Sequence, residues 1–208
     1  MQPFRVPISI PDTQRVTLTQ PFGPVSNPLE PEGPNGEPHF HYGIDLVCGD
    51  DHHTYGVAIV CPFPSITITE KTWEGAMNPT GNGIVGVYTD AEGVVHKIVL
   101  WHCSKINDAI EYKEGDVMAY IGNAGLVFPA PSLRDPYAGA HLHLGYYRGD
   151  ILTDPLTAFD ITNPYRGPAP TQALEMPPAQ WVVAKIEAFM APFLPQATPP
   201  AQPNQPTP

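Results

Sequence analysis

The stretch Val94-Val95-His96-Lys97-Ile98-Val99-Leu100-Trp101-His102 is rich in β-branched and aromatic residues, and so is the shorter run Ile84-Val85-Gly86-Val87-Tyr88 before it. Asp90-Ala91-Glu92-Gly93, which lies between them, has the composition of a hairpin loop. Further short runs of this kind occupy residues 58–60, 66–69, 117–121 and 141–146. Their spacing predicts a mainly β protein, built as a compact antiparallel β domain between residue 15 and about residue 159.

The composition favours one globular domain with extensions over two full domains. The chain has 208 residues, of which 42% are hydrophobic and 15% are charged, enough for one core of moderate size. It contains 28 prolines and 18 glycines without a Gly-X-Y period. This content excludes collagen-like and coiled-coil structures and disfavours a helical bundle.

The net charge argues against nucleic acid as a partner. The chain contains ten Lys and Arg residues and 21 Asp and Glu residues, which gives a formal charge of −11 at pH 7. Its sequence has no cluster of basic residues that could neutralise phosphates. No stretch approaches the roughly 20 apolar residues that span a bilayer, and the first residues lack the pattern of a signal peptide. We therefore expect a soluble chain with no transmembrane segment and no recognisable signal peptide, whose export route the sequence leaves open.

Four segments follow from the pattern along the chain. They are an N-terminal extension (1–15), the β domain (16–160), a C-terminal extension (161–194) and a disordered Pro/Gln-rich tail (195–208). Residues 180–193 are predicted to form an amphipathic helix, whose apolar stripe consists of Val182, Ile186, Phe189, Met190 and Phe193. This helix is expected to pack on the β domain or on a neighbouring subunit, or else to anchor the chain to a membrane or a protein partner.

The three cysteines predict neither a disulfide framework nor a zinc ribbon. Their number is odd, and no Cys-x-x-Cys pair is present. A single bridge between Cys48 and Cys61 remains open. Cys103 follows His102 in a strand-like run and would point to the opposite face, which favours a place in the core.

Four of the eight histidines form two His-x-His triplets, His39-Phe40-His41 and His141-Leu142-His143. Since residues i and i+2 of a strand project from the same face, each triplet can direct two imidazoles to one point. Asp45 follows His41 at a spacing of four. An open catalytic zinc site typically takes three nitrogen or oxygen ligands and a water molecule, so these features together indicate a zinc site.

The ordered motifs of the chain resemble those of a known family. The matching segments are Thr19-Gln20-Pro21-Phe22-Gly23, His41-Tyr42-Gly43-Ile44-Asp45, Leu100-Trp101-His102-Cys103-Ser104-Lys105-Ile106, Glu114-Gly115-Asp116-Val117, Ile121-Gly122-Asn123-Ala124-Gly125 and Gly139-Ala140-His141-Leu142-His143-Leu144. In this order, over roughly residues 16–160, they resemble the lysostaphin-type metallopeptidases, also called M23 or LytM-like peptidoglycan endopeptidases.

The resemblance implies a role for five side chains. His41, Asp45 and His143 would hold one zinc ion per chain, and His102 and His141 would be the unligated catalytic histidines beside it. All five positions carry the expected residue, whereas non-catalytic relatives commonly lose some of them. The fold implied is a compact antiparallel β domain of the split-barrel or sandwich type, with the site in a groove and with the C-terminal helix and Pro-rich tail added to it.

The activity implied is hydrolysis of a peptide bond in bacterial peptidoglycan, in a cross-link or a stem peptide. Zinc bound by two imidazoles and a carboxylate lowers the pKa of a bound water from about 15.7 toward about 7. We assign His141 as the general base and His102 as the donor to the oxyanion or the leaving amine, although the two roles can be exchanged. The protein would then act on the cell wall.

Some features depart from the family pattern and bear on specificity. Pro24 follows the Phe-Gly pair where a basic residue is frequent, and the connection from residue 125 to residue 140 is longer by about ten residues. Two proline-rich loops, 24–38 and 126–137, flank the histidine motifs. The second loop is expected to form a cleft wall that selects peptides, with Tyr137, Phe128 and Arg134 as contacts.

The sequence is also compatible with functions other than wall hydrolysis. A non-catalytic module could use the same fold to bind wall peptides or to regulate a hydrolase, and a virion component or phage endolysin could carry the domain for wall penetration. Among the other histidines, His39 could support the metal or lie in solvent. His52 and His53 are expected to be exposed, and His96 is expected to be structural.

Overall fold

The structure, a computed structural model, describes residues 2–73 and 80–167. The helix predicted for residues 180–193 and the tail predicted for residues 195–208 lie outside these ranges. None of the described helices is long and apolar enough to cross a membrane.

The described part consists mainly of strands, in agreement with the predicted fold class. Its one α-helix, α1, is a single turn (Asp51–Thr54), and a 3₁₀ turn spans Pro155–Thr157. The strands are β1 (Phe4–Ile10), β2 (Thr17–Gln20), β3 (Gly23–Pro24), β4 (Phe40–His41), β5 (Ile44–Val47), β6 (Ala58–Val60), β7 (Ser65–Trp73), β8 (Asn82–Thr89), β9 (Val95–Trp101), β10 (Cys103–Ile106), β11 (Glu111–Lys113), β12 (Val117–Ile121), β13 (Leu142–Arg148), β14 (Ile151–Leu152) and β15 (Phe159–Arg166).

The strands form two large sheets and a small one. The first sheet has five strands in the order β10-β12-β6-β1-β15. The second runs β11-β7-β8-β9-β13-β5-β2, with β14 paired to β13, and β3 pairs with β4 by itself. Every pairing between described strands is antiparallel except that of β1 with β15. The antiparallel β prediction is therefore confirmed.

Strand alternation in the second sheet separates the core from the functional face. In β5, Ile44 and Leu46 belong to the buried hydrophobic core, while Asp45 between them does not. In β13, Leu142 and Leu144 are fully buried in the same core on either side of His143. Burial of each such leucine stabilises the fold by about 1.5–3 kcal/mol. Because successive side chains alternate between faces, Asp45 and His143 point away from the core.

The two ends of the β domain extend further than the sequence predicts. Strand β1, which lies in the segment interpreted as an N-terminal extension, pairs with both β6 and β15, and its Val6, Ile8 and Ile10 are fully buried. Strand β15 continues to Arg166, beyond the expected end at residue 160. Pro7 lies at a register shift of the β1–β15 pair, where a bulge can accommodate a residue that lacks a backbone N–H.

All three cysteines are free and buried, so the open possibility of a bridge between Cys48 and Cys61 is not realised. Cys103 lies in the core, as expected, and burial raises the pKa of its thiol to about 12. A thiol of that kind is inert at neutral pH.

Candidate metal centre

The structure brings together the three side chains predicted as zinc ligands. His41 Nε2 lies 3.0 Å from His143 Nδ1, and Asp45 Oδ1 lies 3.2 Å from each of these nitrogens. Strand register explains the meeting, since Asp45 of β5 lies directly opposite His143 of β13. His41 ends β4, and the turn at Tyr42 and Gly43 returns the chain into β5.

The chemistry and spacing of these donors fit a metal ion. Two imidazole nitrogens and one carboxylate oxygen form a ligand set typical of catalytic zinc. Bond lengths of about 2.0–2.1 Å in a tetrahedral site require ligands about 3.3–3.4 Å apart, close to the separations observed. His41, Asp45 and His143 could therefore hold a divalent metal ion.

A backbone carbonyl orients His41 toward the other two donors. Its Nδ1–H donates a hydrogen bond of 3.0 Å to the carbonyl oxygen of Pro21. This fixes the tautomer and leaves the lone pair of Nε2 directed at the cluster, the usual arrangement for a metal-binding histidine. The segment before the Phe-Gly pair thus has a direct part in building the site.

The pKa shifts of Asp45 and His143 favour metal binding. Burial by itself would raise the pKa of Asp45, but hydrogen bonds with His143 and His41 outweigh it and hold that pKa well below its usual range. Burial lowers the pKa of His143. For His41, burial lowers the pKa, but contacts with Asp45, Pro21 and Glu30 together raise it above its usual value, which favours the protonated ring and competes with a metal ion. An ionised carboxylate and a neutral imidazole are the forms that bind metal.

Trp101 stacks on His143, a contact that the sequence analysis did not predict. The two rings are 4.7 Å apart between centroids and 16° from parallel, and the residues face each other across the β9–β13 pair. On Gly43, a Cβ atom would lie 2.7 Å from His143 Nε2, and on Gly83 it would lie 2.6 Å from Trp101 Cδ1. The two glycines thus leave the space in which the stacked rings fit.

We expect Trp101→Ala to weaken zinc binding by roughly 2- to 12-fold, since an aromatic pair contributes about 0.5–1.5 kcal/mol. Trp101→Phe should retain most of the affinity because it keeps a ring against His143. Competition with a chromophoric chelator measures the change. Trp73→Ala removes an exposed tryptophan from β7 and is the matched control. Unchanged affinity in Trp101→Ala would show that the stack does not position the ligand.

The two predicted catalytic histidines lie beside this cluster. Their rings are 4.5 Å apart between centroids, and His141 Nε2 is 3.7 Å from Asp45 Oδ1. Each ring donates from Nδ1 to a carbonyl oxygen at 2.7 Å, His102 to Ala124 and His141 to Gly139. In the neutral state both rings therefore keep an unprotonated Nε2.

His102 has an unusual backbone conformation. Its φ of 66° lies in the left-handed region, which histidine adopts more readily than bulky or β-branched residues do. Burial, followed by the nearby His141, lowers its pKa well below the usual value. Backbone strain of this kind is concentrated at functional sites.

A hydrogen bond from helix α1 holds the segment that leads into His141. Asp51 Oδ2 accepts a hydrogen bond of 3.1 Å from the backbone N–H of Gly139. Gly139 has a φ of 69°, and a Cβ atom there would lie 2.4 Å from the carbonyl oxygen of Pro129. Asn123 Nδ2 donates to the carbonyl oxygens of Pro136 and Ala138. The sequence analysis predicts no role for Asp51.

All five side chains open into one cleft with a volume of about 700 Å³. Both proline-rich loops contribute to its wall. The wall residues are Asn27, Leu29, Glu30 and Pro31 from the first loop and Leu126, Val127, Phe128 and Pro129 from the second. The second loop therefore contributes to the cleft wall, as expected, while its selection of peptides stays a prediction.

Of the three expected loop contacts, only Phe128 is among the residues that line the cleft in the described part of the chain. Phe128 lines the cleft and is 76% exposed. Tyr137 is only 7% exposed, because its ring packs against His52 and Tyr55 and not in the cleft. Arg134 is not among the cleft-lining residues of the described part.

The remaining histidines serve local structure. His39 Nδ1 bonds to the carbonyl oxygen of Glu30 at 2.9 Å, so it supports a loop and not the metal cluster. His52 and His53 are exposed, as expected. His96 is buried and bonds to Tyr146 and Asp90, which confirms a structural role.

No protein-family model and no curated protein sequence matches the chain. A zinc-containing peptidase from Vibrio cholerae has a similar structure, with a TM-score of 0.51 and 19% identity over 74% of this chain and 40% of that one. The catalytic domain of lysostaphin from Staphylococcus simulans has a TM-score of 0.45 and 24% identity, over 68% of this chain and 90% of that one. The SpoIIQ–SpoIIIAH pore-forming complex has a TM-score of 0.48 and 16% identity, over 78% of this chain and 94% of that one.

The likeness to the Vibrio cholerae peptidase establishes the fold that the sequence motifs predict. This chain spans less than half of the length of that peptidase.

Proposed function

We propose that the protein is a zinc-dependent endopeptidase that hydrolyses peptide bonds in bacterial peptidoglycan, in a cross-link or a stem peptide. The observation that carries this proposal is the convergence of five side chains at the base of one open cleft. They are His41, Asp45, His143, His102 and His141. Zinc, when bound, supplies a Lewis acid and a water molecule of lowered pKa.

The residues of the chain divide into two groups with different tasks. His41, Asp45 and His143 would hold the metal. His141 and His102 hold and move protons at Nε2, since Nδ1 of each ring is committed to a carbonyl oxygen. His141 Nε2 lies nearer to Asp45, which favours His141 as the base that takes the proton of the attacking water. His102 then stabilises the oxyanion or protonates the leaving amine.

The cleft suits an extended peptide. Its volume of about 700 Å³ is within the range of about 300–1,000 Å³ that is usual for ligand sites. The two loops carry exposed apolar groups in the cleft lining, Leu29 in the first loop and Phe128 in the second. A peptide in the cleft would cover these side chains and exclude water from the histidines. The proposed place of action is the bacterial cell wall, reached by export or by release from a phage-infected cell.

We expect the purified protein to contain one zinc ion per chain and to clear a suspension of purified sacculi. Elemental analysis gives the metal content, and loss of turbidity gives the activity. Treatment with 1,10-phenanthroline should abolish the activity, and added zinc should restore it. Mass spectrometry of the soluble products should reveal new amino termini. A zinc-loaded protein that binds sacculi without releasing products would instead be a wall-binding module.

A further inference from the structure

The described lining of the cleft contains a carboxylate, that of Glu30, for which no neighbouring Lys or Arg is available. Among the described residues that line it there is no Lys or Arg, whereas three carboxylates are present. Asp45 belongs to the metal cluster, and Asp51 accepts the N–H of Gly139. Glu30 has neither of these tasks. It forms no ion pair with any residue of the described chain.

The side chain of Glu30 is held in place within the cleft wall. Its Oε1 accepts a hydrogen bond of 2.6 Å from Gln20 Nε2, and Gln20 Oε1 is 3.5 Å from Asn27 Nδ2. Gln20 lies opposite Asp45 in the β2–β5 pair, so the Glu30 carboxylate is fixed to the strand next to the metal cluster. A carboxylate ordered in this way does not pay the entropy of orientation when a ligand binds.

The backbone of Glu30 is fixed as well. His39 Nδ1 donates to the Glu30 carbonyl oxygen at 2.9 Å. The Glu30 backbone N–H donates to the carbonyl oxygen of Asn27 at 3.2 Å. This arrangement accounts for His39, whose ring is close to the metal ligand His41 in sequence but bonds to the loop. The first proline-rich loop therefore presents one half-buried carboxylate to the cleft at a defined position.

We propose that Glu30 is a specificity-determining residue that binds a protonated amine of the peptide substrate. This inference rests on the proposed function and names the substrate class of the same site. The amine would belong to a lysine-type side chain or to the amino terminus of a cross-bridge peptide. A cationic group on the substrate would supply a counter-charge for Glu30 that no described Lys or Arg of the cleft lining provides. A substrate carboxylate near Glu30 would meet a like charge and no Lys or Arg among the described lining residues, and is disfavoured there.

Two peptides that differ by one charge test the proposal. Acetyl-Gly-Gly-Lys-Gly-Gly-amide carries one ammonium group, and its Nε-acetyl-lysine counterpart carries none. The zinc-loaded wild type should bind the first more tightly by roughly 5- to 20-fold, as expected for a charged hydrogen bond discounted for partial exposure. Isothermal titration calorimetry gives both affinities, and kcat/KM gives the same ratio where the peptides are cut.

Glu30→Gln should remove this preference while leaving zinc content unchanged. Glu32→Gln is the matched control, because Glu32 lies in the same loop, is exposed and is not among the cleft-lining residues. It makes the same change in net charge and should keep the preference. Retention of the preference in Glu30→Gln, or equal affinity of the wild type for both peptides, including no binding of either, overturns the proposal.

The sacculus assay decides the proposed function separately. A protein that distinguishes the two peptides through Glu30 but does not release wall products would keep this inference and overturn the hydrolase. A protein that clears sacculi but binds the two peptides equally would support the hydrolase and overturn the inference about Glu30.

Discussion

Asp45→Ala is expected to abolish metal binding and hydrolysis together. Asp45 is the only anionic member of the cluster, and its Oδ1 lies 3.2 Å from both ligand nitrogens. Loss of a partner outside the ligand set already weakens metal sites by about 10- to 100-fold, so loss of a direct ligand should exceed about 100-fold. Elemental analysis and chelator competition measure the effect. Asp45→Asn keeps the side-chain volume and should also lose most of the metal.

A second buried Asp–His pair provides the control. Asp90 Oδ2 lies 3.1 Å from His96 Nε2 at the opposite end of β9 from Trp101. Asp90→Asn should lower the melting temperature and leave zinc content at the wild-type value. Equal zinc in the wild type and in Asp45→Ala would exclude Asp45 as a ligand.

Replacement of either catalytic histidine should lower kcat by at least about 100-fold with zinc retained, the usual contribution of a positioned acid or base. For His141, alanine is suitable. For His102, whose φ is 66°, asparagine is the better choice, because it tolerates the left-handed region and separates loss of the imidazole from backbone strain. Stopped assays on sacculi and metal analysis of the same samples give both quantities.

His53→Ala is the control for these variants, since its ring is exposed and bonds to Asp50. It should change neither kcat nor metal content. If His102→Asn or His141→Ala loses its zinc, the histidine concerned is a ligand, and the division between metal-holding and proton-moving residues must be redrawn.

Local alternation explains why part of the site could be predicted from the sequence. His141 and His143 are two residues apart, and both approach Asp45 Oδ1, at 3.7 Å and 3.2 Å. The triplet of His39 and His41 has the same spacing, but only His41 faces the cluster. Strand β4 contains just Phe40 and His41, so the two-residue period does not extend to His39.

Features that depend on pairing between distant strands could not be predicted. Trp101 meets His143 only because β9 and β13 adopt one particular register. Strand β1 pairs in parallel with β15, which lies more than 150 residues later in the chain. Strand β1 also contains Pro7, and a proline inside a segment argues against a strand in sequence-based prediction. The error at Tyr137 has a similar origin, since a loop sequence shows that a wall is near but not which side chains turn toward it.

The row formed by Gln20, Asp45, His143 and Trp101 crosses four neighbouring strands, each residue lying directly opposite the next. A slip of β13 by one residue would turn the imidazole into the core and expose Leu142 and Leu144 to water. Such a misfolded form would lose its apolar contacts and its metal donors in the same step. Zinc uptake during refolding is therefore expected to report correctly registered molecules, and it offers a way to follow pairing errors that circular dichroism does not distinguish.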